Sequence, residues 1–184
     1  MLLLSHSEEP FCTERVAGAL NGRGARALRI DTDRFPGGLE LRGELGPECT
    51  PGLSLGDEAL VVDAVWLWRL WPARQDEGLA AAHREAAARE SMTTLRGLLD
   101  LLAGAAWIDA LDVNRAADNK TRQLRLAREV GLVIPPTLIT ADPAAVRRFF
   151  AAHDGRVVAK LQTPLGYSMA GGGGLPTRLL RAAD

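Results

Sequence analysis

Residues 114–161 read NRAADNKTRQLRLAREVGLVIPPTLITADPAAVRRFFAAHDGRVVAKL. The spacing predicts helix, short strand, helix, strand. Asp118 is placed to cap a helix over residues 121–130, and Gly131 stands where a left-handed cap ends one. Leu124, Ala127 and Gly131 follow Lys120 at helical spacing, which puts that lysine at the start of the inward face. Pro135 and Pro136 forbid continuation, and the β-branched run 137–140 reads as a strand. Asp142 followed by Pro143 is a capping residue with proline at the first helical position. The second helix runs through Phe149 and Phe150 and stops near Gly155. Residues 156–161, RVVAKL, then form a strand with Val158 and Lys160 on one face and Val157, Ala159 and Leu161 on the other.

Lys120 and Lys160 are the only lysines of the chain; the other 20 basic residues are arginines. A compact ammonium on a flexible stem fits beside a phosphate where a planar guanidinium would clash. A lysine inside an apolar strand must also reach an anion or a solvated cleft. The pair is therefore a candidate phosphate clamp. The plainer explanation is two lysines left by chance in an arginine-rich composition.

Upstream, residues 1–4 read as a buried strand, 11–20 as a helix and 27–30 as a second strand ending at Asp31. That order implies a right-handed crossover and a parallel pair. Asp31 and Asp33 then lie just past a strand's C-terminal end, the ligand side of an open α/β sheet. A capped turn closed by Pro36-Gly37-Gly38 would explain the same residues. The loop 5–10 has no glycine and cannot cradle a phosphate. Residues 39–57 read as short hairpin strands, and 60–70 as a central strand buried on both faces, with Trp66 and Trp68 on one side and Arg69 on the other. One long helix occupies 79–102, its buried stripe formed by Leu95, Leu98, Leu99 and Leu102, and 107–109 is a short strand. The lobes are expected to divide into 1–110 and 111–184.

The lysine at a helix start, the QL..A..VGL.IP.T segment, the second helix and the VV.K strand together resemble the central part of ATP-grasp ligases. DTDRFP at 31–36, VWLWR at 65–69 and the run from Glu90 to Asp109 sharpen the likeness. It is to the ATP-grasp peptide ligases of the microviridin or graspetide type, which mature ribosomal peptides by closing ester and amide rings. The resemblance implies an α/β architecture, a Rossmann-like pre-ATP-grasp N-terminal lobe followed by the first part of an ATP-grasp lobe. It implies ATP as cofactor with Lys120 and Lys160 on its phosphates, Mg²⁺ in the intact enzyme, and a precursor peptide with a leader segment as partner. A homodimer is left open. Trp68 occupies a place where the family tends to carry a basic or polar residue, so a substrate role for Arg69 does not follow. No catalytic residue can be named. Two alternatives stand beside this reading. One is a ligase adding amino acids to a peptide, like the ribosomal-protein glutamate ligases. The other is a noncatalytic peptide-binding remnant.

A net charge of −1 gives no electrostatic case for nucleic-acid or membrane binding. The apolar start of four residues is too short for a signal peptide, and no stretch is long enough to span a bilayer. Cys12 and Cys49 show neither metal spacing nor a disulfide framework, so a cytoplasmic protein is expected. After Lys160 the only acid is Asp184, and the expectation is that the Mg²⁺ ligands are absent from this chain. Gly171–Gly174 reads either as part of a loop over the triphosphate or as a flexible linker.

Overall fold

The computed structural model describes residues 1–9, 11–47, 49–162 and 177–182. The chain divides into two compact units, Met1–Val113 and Asn114–Asp184.

In the first unit, strands β1 (Leu2–Ser5) and β2 (Leu28–Asp31) flank helix α1 (Cys12–Asn21) in sequence and pair in parallel, Leu2 opposite Leu28 and Ser5 opposite Asp31. The chain then leaves the sheet for three antiparallel strands, β3 (Leu41–Gly46), β4 (Cys49–Leu55) and β5 (Glu58–Ala59). It returns as β6 (Ala64–Leu67), which lies parallel to β1 on the side away from β2. Helix α2 (Ala81–Asp100) leads to β7 (Ala106–Ile108), parallel to β6. The sheet order is therefore β2-β1-β6-β7. The crossovers leave β1 and β6 in opposite directions, so a topological switch point lies between them.

The core forms where Leu2, Leu4, Ile30, Val65 and Leu67 of the sheet meet Leu95, Leu99 and Leu102, with Leu53 and Phe35 completing it. Each such side chain contributes about 1.5–3 kcal/mol when fully buried. The expected stripe of α2 is present, although Leu98 is only partly buried. The central strand is closed on one face and half-open on the other. Val65 and Leu67 are buried, whereas the Trp66 ring lies 5.5 Å from that of Trp68, which is 39% exposed. Gly43 lets β3 come close to α2. A Cβ there would stand 2.5 Å from Leu101 Cδ1 and 2.7 Å from Leu98 Cδ2. Both atoms are the far ends of half-buried leucines that can shift, so Gly43→Val is expected to cost about 1 kcal/mol, read as a lowered midpoint in urea with an unchanged slope.

The second unit contains α4 (Lys120–Glu129), α5 (Pro143–Ala152) and an antiparallel pair, β8 (Val158–Ala159) with β9 (Arg178–Leu179); α3 (Leu111–Ala117) spans the boundary in sequence. Every described residue of this unit is half-buried or exposed. Three expectations change here. The cap of α4 is Asn119, whose side chain accepts from the Arg122 N–H at 2.9 Å, and not Asp118. Residues 137–140 form no strand. β-branching favours extended backbone, but a strand needs a partner, and no strand among the described residues pairs with them. The last strand covers only Val158–Ala159, so Lys160 follows it and is exposed instead of lying within it. The alternation itself is kept: Val157, Ala159 and Leu161 are half-buried, while Val158 and Lys160 face out.

Gly131 adopts φ 86° after α4, as a left-handed cap requires. Asp142 accepts from the Ala144 and Ala145 N–H groups at 2.8 and 3.1 Å, with Pro143 following it in the first turn. The glycine run 171–174 lies outside the described residues. Among the described residues no helix is long and apolar enough to cross a membrane.

Candidate functional site

At the C-terminal ends of β1 and β6 the switch-point crevice is filled by the chain itself. The Thr32 hydroxyl donates to the Ser5 carbonyl at 2.9 Å and accepts from the Trp71 N–H at 2.9 Å. The Trp71 indole stacks on His6, ring centroids 4.5 Å apart, and the Arg69 guanidinium lies 5.9 Å from the same indole. Asp33, only 2% exposed, accepts from the Ser7 N–H and hydroxyl at 2.8 and 2.6 Å and from Arg74 Nε at 2.8 Å. The Arg74 N–H donates to the Asp33 carbonyl at 2.7 Å, and its guanidinium reaches Glu8 at 2.7 Å. Burial would raise the Asp33 carboxyl, but the bonds from Ser7 and Arg74 outweigh it and hold it below the ordinary range. Asp31 is half-buried and paired with Arg29 at 2.7 Å. The DTD motif is thus a satisfied, capped turn that pins the segment after β6.

Glu9 was not singled out in the sequence, although an acid just ahead of a helix is a recognised start signal. Its carboxylate accepts from the N–H groups of Phe11, Cys12 and Thr13 at 3.1, 2.7 and 2.9 Å. The Thr13 N–H is the main cause, against some desolvation, that lowers its pKa to about 2. A carboxyl lowered on folding stabilises fully above its unfolded pKa of 4.5 and loses that contribution as pH falls toward 2. The difference in melting temperature between the wild type and Glu9→Gln is therefore expected to shrink as pH falls from about 4.5 to about 2. A difference independent of pH would refute the assignment.

In the second unit Lys120 opens α4, where the helix dipole disfavours a cation by about 0.3–1 kcal/mol and favours an anion beside it. Its ammonium donates to the Gln162 carbonyl, two residues beyond Lys160. That bond ties the start of α4 to the segment that follows Lys160. A separate open groove of about 450 Å³ runs between the Thr121, Leu124 and Arg128 side of α4 and the extended residues 134–139; neither lysine lines it. Among the described residues no group of three or more His, Cys, Asp or Glu is placed to hold a metal ion.

Residues 1–115 match the family model described as the MvdD pre-ATP grasp domain. Macrocyclase MdnB from Microcystis aeruginosa MRC is 42% identical, with a TM-score of 0.76 over 85% of this chain and 52% of its own. Macrocyclase MdnC from the same strain, solved with precursor peptide MdnA, is 27% identical and covers all of this chain and 59% of its own at a TM-score of 0.83. A RiPP-associated ATP-grasp ligase from Chryseobacterium gregarium, solved with ADP and a leader and core peptide, is 26% identical. It matches all of this chain and 56% of its own at 0.77. The chain thus spans between half and three fifths of the length of these structures. No curated protein matches.

Proposed function

The chain belongs to the MvdD pre-ATP-grasp family, and from that premise we propose that it works within an ATP-dependent peptide ligase that matures a ribosomal precursor peptide. The carrying observation is the likeness along its whole length to macrocyclase MdnC, solved with its precursor peptide. In this reading residues 1–110 form the pre-ATP-grasp lobe and 111–184 the part that handles ATP. A leader-bearing peptide is the partner, and the reaction is cytoplasmic.

A side-chain carboxylate is a poor electrophile because oxide would have to leave. Transfer of the γ-phosphoryl group of ATP to that oxygen, with ADP leaving, turns it into a phosphate leaving group. A hydroxyl or amine of the same peptide then attacks the carbonyl, phosphate departs, and the nucleophile's proton is released as the ring closes. The role of this chain's residues is to position charge where it helps. Lys120 and Lys160 are the residues we assign to the phosphates: one opens a helix, the other lies exposed just past β8, and both are ammonium groups.

The test is incubation of the ligase carrying this chain with ATP, Mg²⁺ and its precursor peptide, followed by mass spectrometry. Loss of one water per ring, dependent on ATP, is the expected result. Mass gain by added amino acids would replace ring closure with amino-acid ligation, and an unchanged peptide that still binds would leave a peptide-binding protein.

A further inference from the structure

In doubly wound sheets a ligand enters the crevice at the switch point, and the helix after the first strand lends its free N–H groups to a phosphate. Both places are taken in this chain. Three N–H groups at the start of α1 already bond the Glu9 carboxylate. The crevice at the ends of β1 and β6 holds Trp71, whose indole stacks on His6 and whose backbone N–H donates to the Thr32 hydroxyl.

We propose that the N-terminal unit is a self-occupied nucleotide fold, in which the Glu9 carboxylate stands in for a phosphate and Trp71 closes the crevice, so that phosphates are excluded. An incoming anion would have to displace a carboxylate tethered two to four residues away, whose effective concentration at the helix end is about millimolar or higher. It would also find little free positive charge. Arg29 pairs with Asp31 and Glu14 and donates to the His6 and Glu9 carbonyls of the loop. Arg74 is engaged by Asp33 and Glu8, while Arg15 and Arg69 lie over the Phe11 and Trp71 rings. Glu8, Glu9, Glu14 and Asp33 would repel the newcomer. The inference concerns Met1–Val113 alone and holds whether or not the two lysines of the other unit bind ATP.

The experiment follows the amide resonances of Phe11, Cys12 and Thr13 in the full chain during titration with pyrophosphate at constant ionic strength and neutral pH. In the wild type they are expected to stay in place through millimolar concentrations. In Glu9→Gln, which keeps the shape but not the charge, the same three resonances are expected to shift saturably. Should that variant not fold, Glu9→Ser keeps a capping hydroxyl and takes its place. Saturable shifts in the wild type would overturn the proposal, because the carboxylate would then be displaceable. Variants as inert as the wild type would overturn it too, because something other than Glu9 would be excluding the anion.

Discussion

Asp33→Ala is expected to lower the unfolding free energy by about 3 kcal/mol, which for a chain of this length is a fall in melting temperature of roughly 6–12 °C. The carboxylate is almost wholly buried and takes three side-chain-directed bonds, two from Ser7 and one from Arg74. Removing it leaves a backbone N–H and a hydroxyl without their acceptor, and a buried group so orphaned costs about 1–3 kcal/mol. It also removes one of the ties between the segment after β6 and the turn Thr32–Arg34, leaving the Trp71 N–H on the Thr32 hydroxyl and the Arg74 N–H on the Asp33 carbonyl. Arg74→Ala provides the comparison. Asp33 keeps both Ser7 bonds in that variant, and water can enter where the 57% exposed arginine stood and take over much of what it supplied, so about 1 kcal/mol or less is expected. Equal losses in the two variants, measured by urea unfolding, would show that the ion pair and not the Ser7 bonds holds the turn.

What the sequence makes legible is what local chemistry decides. The Asp142-Pro143 start, the Gly131 stop, the α2 leucine stripe and the alternation around Lys160 each follow from a pattern within one element. The parallel β1–β2 pair follows from strand, helix and strand at close spacing. What the sequence conceals is pairing across distance. Arg74 meets Asp33 across 41 residues and Trp71 reaches Thr32 across 39, and no local signal selects those partners. The cap of α4 shows a finer limit: Asp118 and Asn119 are adjacent and both able to cap, and a one-residue choice of register is settled only by the backbone turn. Residues 137–140 show the opposite failure, since propensity can report an extended backbone but not a neighbouring strand. The likeness to ATP-grasp peptide ligases rests on motifs spread through both units, and so survives these local errors.

The lysine pair carries the largest functional expectation. Bound phosphate would accept charge-assisted hydrogen bonds from each ammonium, and such a bond contributes about 1.5–3 kcal/mol. Lys120→Ala and Lys160→Ala are each expected to weaken ATP binding by roughly 10- to 150-fold. The double variant should fall short of the product of the two, because Lys120 bonds the Gln162 carbonyl in the segment that carries Lys160. Arginine at either position keeps the charge and can bind phosphate, but its larger planar fork asks for a different geometry from that of a compact ammonium, so partial recovery is expected. The affinity of the pair should also fall as salt is raised, because Lys160 is exposed and its attraction is screened. Calorimetric titration with ATP reads all of these. If ATP binds the wild type and neither substitution changes its affinity, the lysines are not the phosphate clamp. If arginine at Lys160 binds as well as lysine, charge alone suffices and the compact ammonium has no special part.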